Sequence, residues 1–234
     1  MNEPSQSHTI ASVLDEFLQD WQLRLRPRTF SQYQSVIDLL QLSLERSTEP
    51  ADSDLIEAIE KAREAGRDDA VCSLCSPSEI ANGMHEFLGW FMIRHVDAGP
   101  SLMRSVSAVT RKLAQWLAER HYLDEGHQAL LDDVVDRKGP VLPKVVTMRD
   151  RLAKWVDQQS SDLVAGAIVV EGHFTVDGIT TDGWKISGIG NTVSGVVRVP
   201  PQWLHREQED WEIGGVVAIR GKRLEWVEIW NIYP

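Results

Sequence analysis

Apolar residues recur every three or four positions through most of the first 160 residues, and this period predicts helices. The clearest stripe lies in the segment 101–124, SLMRSVSAVTRKLAQWLAERHYLD, where Ser101 follows Gly99-Pro100 and is the predicted N-cap. The apolar positions of this stripe are Leu102, Val106, Val109, Leu113, Trp116 and Leu117. Further helices are predicted over about 10–25, 30–44, 53–65, 77–98, 127–138 and 144–159, with Ser76 as an N-cap and the segment 67–76 irregular.

The period changes from helical to alternating at Ser160. Five short β-branched runs follow, separated by Gly-containing turns: AGAIVVEGHFTV, GWKISGIG, SGVVRVPP, EIGGVVAIRG and LEWVEIWNIYP. Alternation in the last run places Trp226, Glu228 and Trp230 on one face, and residues 201–211 are predicted to form one or two helical turns. The predicted fold class is therefore α+β, a helical bundle followed by a small five-stranded β-barrel of OB or SH3-like type.

Composition places the chain among ordinary globular proteins. Hydrophobic residues make up 42% of the 234 residues, and no apolar run approaches the ~20 residues of a membrane span. The first ten residues, MNEPSQSHTI, are polar and do not fit a signal peptide, so we expect a cytoplasmic protein without a membrane partner. A net charge of -11 opposes non-specific binding of nucleic acid over the whole surface, but it leaves room for a local basic patch.

The sequence offers few groups for chemistry. Cys72 and Cys75 have the spacing of a zinc or redox pair, but a zinc site needs further ligands at comparable spacing and a thioredoxin-like role needs a βαβ context. A Gly-rich loop with a following Lys, a His-Glu-x-x-His motif and a Gly-x-Ser-x-Gly elbow are all missing. We therefore expect a protein that is not an enzyme and has no catalytic residues, metal or other cofactor.

Three stretches of the helical half carry a family resemblance. They are FLQDWQLRLRPRTFSQYQSVIDLLQLSL at 17–44, SPSEIANGMHEFLGWF at 76–91, and the segment 101–123 with its Trp116-Leu117 and Tyr122-Leu123 exit. Together they resemble the SAM-like core-binding domain at the N-terminus of tyrosine recombinases, the phage integrases. The resemblance covers roughly residues 10–124 and implies a SAM-like helical domain over 10–140. The helical period of the next segment and the change of period after it predict a linker helix over 141–160 and the barrel domain over 161–234.

In that family this domain forms half of a clamp around duplex DNA, and a separate domain performs the chemistry. The present chain lacks the family's catalytic domain, and none of its seven histidines is followed by Arg three residues later. The resemblance thus implies a non-catalytic, recombinase-like protein that binds double-stranded DNA. Its candidate phosphate contacts lie in the turn after the first helix and along the segment 101–124: Arg24, Arg26, Arg28, Arg104, Arg111 and Lys112.

The barrel carries a candidate second binding surface, formed by Lys222, Arg223 and Trp226, where cations adjoin an aromatic ring that could stack a base. The alternative is that the Trp-rich barrel is core or interface. Residues 30–44 contain no Arg or Lys, although phosphate binding requires cations. The alternative function is therefore a protein–protein interaction or oligomerisation module without DNA binding, for which a second copy of the chain is a candidate partner.

Overall fold

The computed structural model describes residues 8–159, 166–221 and 223–234. The chain divides into two compact units. The helical unit comprises Met1–Met92 and Ser101–Pro140, and the barrel unit comprises Ile93–Pro100 and Val141–Pro234. The predicted α+β class, with helices followed by a small barrel, is confirmed.

The helices begin and end close to the predicted positions. They are α1 (Ile10–Gln22), α2 (Pro27–Ser47), α3 (Ser53–Glu64), α4 (Ala70–Leu74), α5 (Ser78–Glu86), α6 (Met92–Arg94), α7 (Pro100–Arg120), α8 (Glu125–Lys138) and α9 (Leu142–Asp157). One π-helical turn, Phe87–Phe91, joins α5 to α6. No helix among the described residues has the length and apolar character needed to cross a membrane.

Five helix starts differ from the prediction, among them those of α8 and α9, which each begin two residues early. Helix α7 begins at Pro100, so Ser101 lies inside the first turn and is not its N-cap. Pro77 occupies the N-cap of α5, one residue after Ser76. Helix α2 begins at Pro27, earlier than predicted, because proline has a backbone φ suited to the first helical position.

The segment 67–76, which we expected to be irregular, contains the short helix α4. Its first amides are held by a side chain from α2: the Glu45 carboxylate accepts hydrogen bonds from the backbone N–H groups of Val71 (3.0 Å) and Cys72 (2.7 Å). A carboxylate at a helix N-terminus satisfies amides that have no partner within the helix. The cap comes from 26 residues away, which explains why local sequence patterns did not reveal the helix.

The five β-branched runs predicted as strands are strands in the structure, all in the C-terminal part of the barrel unit. Within the described residues, β1 (Ile168–Ile179), β2 (Gly183–Ile189), β3 (Ser194–Arg198), β4 (Glu212–Arg220) and β5 (Arg223–Tyr233) close into a barrel. The order is β1-β2-β3-β5-β4, with β4 antiparallel to β1 and β3 parallel to β5. This order is that of the OB barrel, one of the two types expected.

Short 3₁₀ turns between β3 and β4, Pro201–Trp203 and Arg206–Gln208, confirm the helical turns predicted for 201–211. Gln208 is buried and connects this segment to the barrel interior. Its side-chain oxygen accepts a hydrogen bond from the Trp184 indole N–H (2.9 Å), and its amide nitrogen donates to the Trp203 carbonyl (2.8 Å). Both the oxygen and the nitrogen of the Gln208 side chain therefore have hydrogen-bond partners, as is usual for buried polar groups.

Helix α9, which lies in the segment 141–160 expected to link the domains, packs on β5 within the barrel unit. Trp155 of α9 meets Trp203 edge-on, with ring centroids 6.4 Å apart. Lys144 forms an ion pair with Glu207 at 2.6 Å. The predicted boundary between 160 and 161 lies outside the described residues.

Candidate nucleic-acid interface

The turn between α1 and α2 brings together three of the predicted contacts. Arg24, Arg26 and Arg28 are all exposed within five positions of one another. The turn is compact because the backbone N–H groups of Arg24 and Leu25 both donate to the Trp21 carbonyl at 3.0 Å. The guanidiniums therefore project from a short, hydrogen-bonded segment.

Arg26 is the N-cap of α2, a helix of 21 residues, and no side chain caps that end among the described residues. The first amides of a helix point outward and carry a partial positive charge, which favours an anion at this position. Pro27 holds the first helical position, and the Phe30 N–H already donates to the Arg26 carbonyl (2.9 Å). The helix terminus thus adds to the charge of the three arginines.

An aromatic cluster fixes the turn to the body of the helical unit. Phe17 of α1 stacks on Tyr33 of α2 at 6.0 Å and meets Trp116 of α7 edge-on at 5.6 Å. Trp21 lies 5.5 Å from Tyr33, and the Arg24 guanidinium lies 5.8 Å from the Trp21 ring centroid. Burial raises the pKa of Tyr33, as expected of a phenol in this cluster.

Arg120, at the end of α7, is committed to an internal ion-pair network. It contacts Glu16 and Asp20 of α1, each at 2.5 Å, and Asp20 also accepts a 2.9 Å hydrogen bond from the Trp116 indole. That hydrogen bond, followed by the charges of Arg120 and Arg24, lowers the pKa of Asp20. Arg120 is therefore neutralised by α1 and does not extend the basic turn.

The predicted contacts on α7 do not join the basic turn. Arg111 lies 3.5 Å from Asp136 of α8, and the Gln128 side chain of α8 donates to the Ala114 carbonyl. Arg111 and Arg120 are nine positions apart, so their side chains leave α7 about 180° apart around the helix axis. Arg111 therefore faces α8, opposite the side of α7 that meets α1.

Arg104 and Lys112 are exposed. Arg104 lies seven positions before Arg111 and so nearly on the same side of α7. Lys112 donates to Gln115 on its own helix at 3.3 Å. Arg104 and Arg111 thus lie on the side of α7 opposite Arg120, and Lys112 lies about 80° around the helix axis from Arg120. The six predicted cations do not form one continuous groove.

The second predicted surface needs a correction. Trp226 is only 2% exposed and packs edge-on against Phe174 inside the barrel, with ring centroids 5.6 Å apart. A base cannot stack on a ring that is enclosed in this way. Arg223 is exposed at the start of β5, and Lys222 lies outside the described residues.

Arg223 lies on a groove that sequence patterns did not identify. The groove has a volume of about 630 Å³ and lies between the β1–β2 turn, β3 and the start of β5. Arg198 of β3 and Asp182 of the turn also line it. The alternation of SGVVR could have indicated that Val196 and Arg198 share the outer face of β3, but pairing with β5 was needed to place them beside Arg223.

The two cysteines are buried. Burial, reinforced by the Glu45 carboxylate, raises the pKa of Cys72, and burial likewise raises that of Cys75. The described residues contain no group of three or more His, Cys, Asp or Glu side chains placed to hold a metal ion. A buried, protonated thiol is a poor nucleophile and metal ligand, so the geometry favours a packing role for this pair.

Comparison of the chain with family models, curated proteins and solved structures found no match.

Proposed function

We propose that this chain is a non-catalytic, recombinase-like DNA-binding protein whose helical unit binds duplex DNA through the α1–α2 turn. The observation that carries the proposal is the exposure of Arg24, Arg26 and Arg28 around the uncapped start of α2. Guanidinium groups bind phosphate in a bidentate manner, and a helix N-terminus adds backbone donors for the same anion.

The positive charge of the α1–α2 turn can bind DNA even though the protein as a whole is acidic. The net charge of -11 opposes approach of DNA to most of the surface, so only a concentrated basic turn can form the contact. Three neutralised phosphates would give a slope of about -2.7 in the logarithm of affinity against the logarithm of salt concentration. A broad cationic face would give a steeper dependence.

The test is a fluorescence-anisotropy titration of duplex DNA with the full chain at low and moderate salt. The R24E/R26E/R28E variant should lose at least about a hundredfold in affinity, since three phosphate contacts become repulsive. The matched control, R104E/R111E/K112E, makes the same charge change on α7, outside the turn, and should lose less than about a tenth as much affinity. Absence of binding at micromolar protein in low salt, or equal losses in the two variants, would contradict the proposal.

A protein–protein interaction module is the second candidate. Ile189, which is 50% exposed, pairs with His173 across β1 and β2. The rings of His173 and of Trp230, which is 36% exposed, both lie close to Gly214 of β4. Two exposed apolar side chains thus flank His173, and exposed apolar patches are typical of interfaces. A stable dimer in light scattering that Ile189→Asp dissociates, together with no DNA affinity, would favour this function over the first.

A further inference from the structure

The groove on the barrel has the form of a ligand site. Its volume of about 630 Å³ lies within the ~300–1,000 Å³ typical of binding clefts. Val196 lines it and is 41% exposed, although the neighbouring Val197 is buried in the barrel. An exposed valine inside a groove gives an apolar surface that a flat ligand group can cover.

Strand pairing explains why this face is shaped as it is. Val197 pairs with Leu224, the single pairing between β3 and β5 among the described residues. Gly195 permits the close approach, because a Cβ there would lie 2.8 Å from a Leu224 methyl carbon. The short seam leaves Arg198 and Arg223, one on each strand, on the same groove.

The charged groups of the groove are available to a ligand. Arg198 and Arg223 are exposed, and neither makes an ion pair or side-chain hydrogen bond within the part of the chain that the structure describes. Lys185 adds a third exposed cation on the outer face, because it pairs with Val196 across β2 and β3. Asp182 and Glu225 also line the groove, so the local charge of the described groups is only slightly positive.

We infer that this groove binds single-stranded nucleic acid, with phosphates on Arg198 and Arg223 and a base or sugar against Val196. Barrels of the OB type bind oligonucleotides on the β2–β3 face and the adjoining β1–β2 and β4–β5 loops. This groove, lined by β3, the β1–β2 turn and the start of β5, lies at the β3 side of that face. Each of the two guanidiniums, one on β3 and one on β5, can bind a phosphate of an extended strand. The site is on the barrel unit and does not depend on the duplex-binding turn of the helical unit.

The groove contains two carboxylates whose removal should have the opposite effect on binding to removal of the arginines. Asp182 and Glu225 share the groove with the two arginines and repel a phosphate backbone. Neutralising them should therefore strengthen the binding of a polyanion, whereas removing the arginines should weaken it. Loss of the folded groove would weaken binding in both variants, so opposite effects of the two substitutions separate binding from folding.

The experiment measures anisotropy of a fluorescein-labelled oligo(dT) with the full chain in low salt. R198A/R223A should weaken binding by at least about tenfold, and D182N/E225Q should tighten it by about twofold or more. K144A/R206A, which removes two exposed cations that do not line the groove, should leave the affinity unchanged. The R24E/R26E/R28E variant should keep oligo(dT) binding even if duplex binding is lost, which separates this inference from the proposed function.

Two results would overturn the inference. The first is no binding of oligo(dT) by the unaltered chain, or equal affinities of all the variants. The second is that R198A/R223A changes the self-association measured by light scattering while oligo(dT) does not bind, which would identify a protein partner for the groove. Near-UV circular dichroism of each variant verifies that the barrel is folded.

Discussion

The Trp116 indole donates a 2.9 Å hydrogen bond to the Asp20 carboxylate across 96 residues of sequence. The bond joins α7 to α1 beside the turn that carries the candidate DNA contacts. Trp116 is nearly buried, and its ring also stacks on Tyr122 at 5.4 Å. The Trp116 side chain thus combines core packing with a hydrogen bond that lowers the pKa of Asp20.

Removing this hydrogen bond should destabilise the helical unit. Trp116→Phe retains an aromatic ring but leaves Asp20 without the indole donor, and it deletes part of a buried side chain. We expect a loss of about 1–3 kcal/mol in the free energy of unfolding. Urea denaturation followed by circular dichroism measures the change.

Gln115→Ala, on the exposed neighbour of Trp116, is the matched control and should change the free energy by less than about 0.5 kcal/mol. Equal stabilities of the two variants would show that the indole contact contributes nothing to folding.

Stability should also depend on the ionisation of Asp20. Its pKa is lowered in the folded state, so its contribution is fully present above the unfolded value of about 3.9 and is lost as the pH falls through the lower folded value. The Ser73 hydroxyl lowers the pKa of Asp69, and the His127 backbone N–H lowers that of Asp124, so these groups add to the same acid dependence.

Asp20→Asn should therefore reduce, but not abolish, the decline in unfolding free energy between about pH 5 and pH 2. Urea midpoints measured across that range provide the comparison. Asp15→Asn, an exposed carboxylate on the same helix, should leave the profile as it is. A D20N profile that coincides with that of the unaltered chain would be incompatible with an ion-paired Asp20.

Both cysteine thiols should resist alkylation in the native protein. Burial raises the pKa of Cys72 and Cys75, which leaves little thiolate near pH 8 and also blocks access of the reagent. We expect iodoacetamide to modify neither residue in the folded chain and both after unfolding in guanidinium, as measured by mass spectrometry. A Gln115→Cys variant supplies an exposed thiol as a control, and this thiol should react in the folded state. If Cys72 and Cys75 react at the same rate as this thiol, they are not buried.

The β2–β3 pairing should be intolerant of a side chain at Gly183. A Cβ there would lie 1.9 Å from the Val197 carbonyl oxygen, and a backbone atom cannot move aside as a flexible side chain can. Gly183→Ala should cost about 1–3 kcal/mol or more and disturb the environment of Trp184. Chemical denaturation and tryptophan fluorescence report the two effects.

Gly178→Ala is the control for this substitution, since nothing lies within 4 Å of a Cβ at that position in β1. It should be close to neutral. If both alanine variants are equally stable, the close approach of β2 and β3 is not a constraint on the fold.

The last strand shows where alternation stops being a reliable guide. Period-2 alternation placed Trp226, Glu228 and Trp230 on one face, but irregularities in the β4–β5 register leave Glu228 and Trp230 exposed while Trp226 is buried. A β-bulge inserts a residue into one strand and so exchanges inward and outward positions beyond it. The bulges depend on pairing with β4, which the residues of β5 do not encode locally.

The candidate interface shows the same division between local and non-local information. Sequence alone grouped Arg24, Arg26 and Arg28, because residues so close in the chain stay close in any fold. It could not determine that Arg111 faces Asp136 while Arg120 faces Asp20, since that depends on which helices flank α7.

Hydrophobic period by itself determined the helices other than α4, the strands and the change from helix to strand near residue 160, because each of these elements buries a face that consecutive residues define by their spacing. Tertiary structure alone decided the strand order, the burial of Trp226 and the placement of Arg198 beside Arg223. These features depend on which elements meet, and the free energy of that choice comes from contacts between residues far apart in the chain.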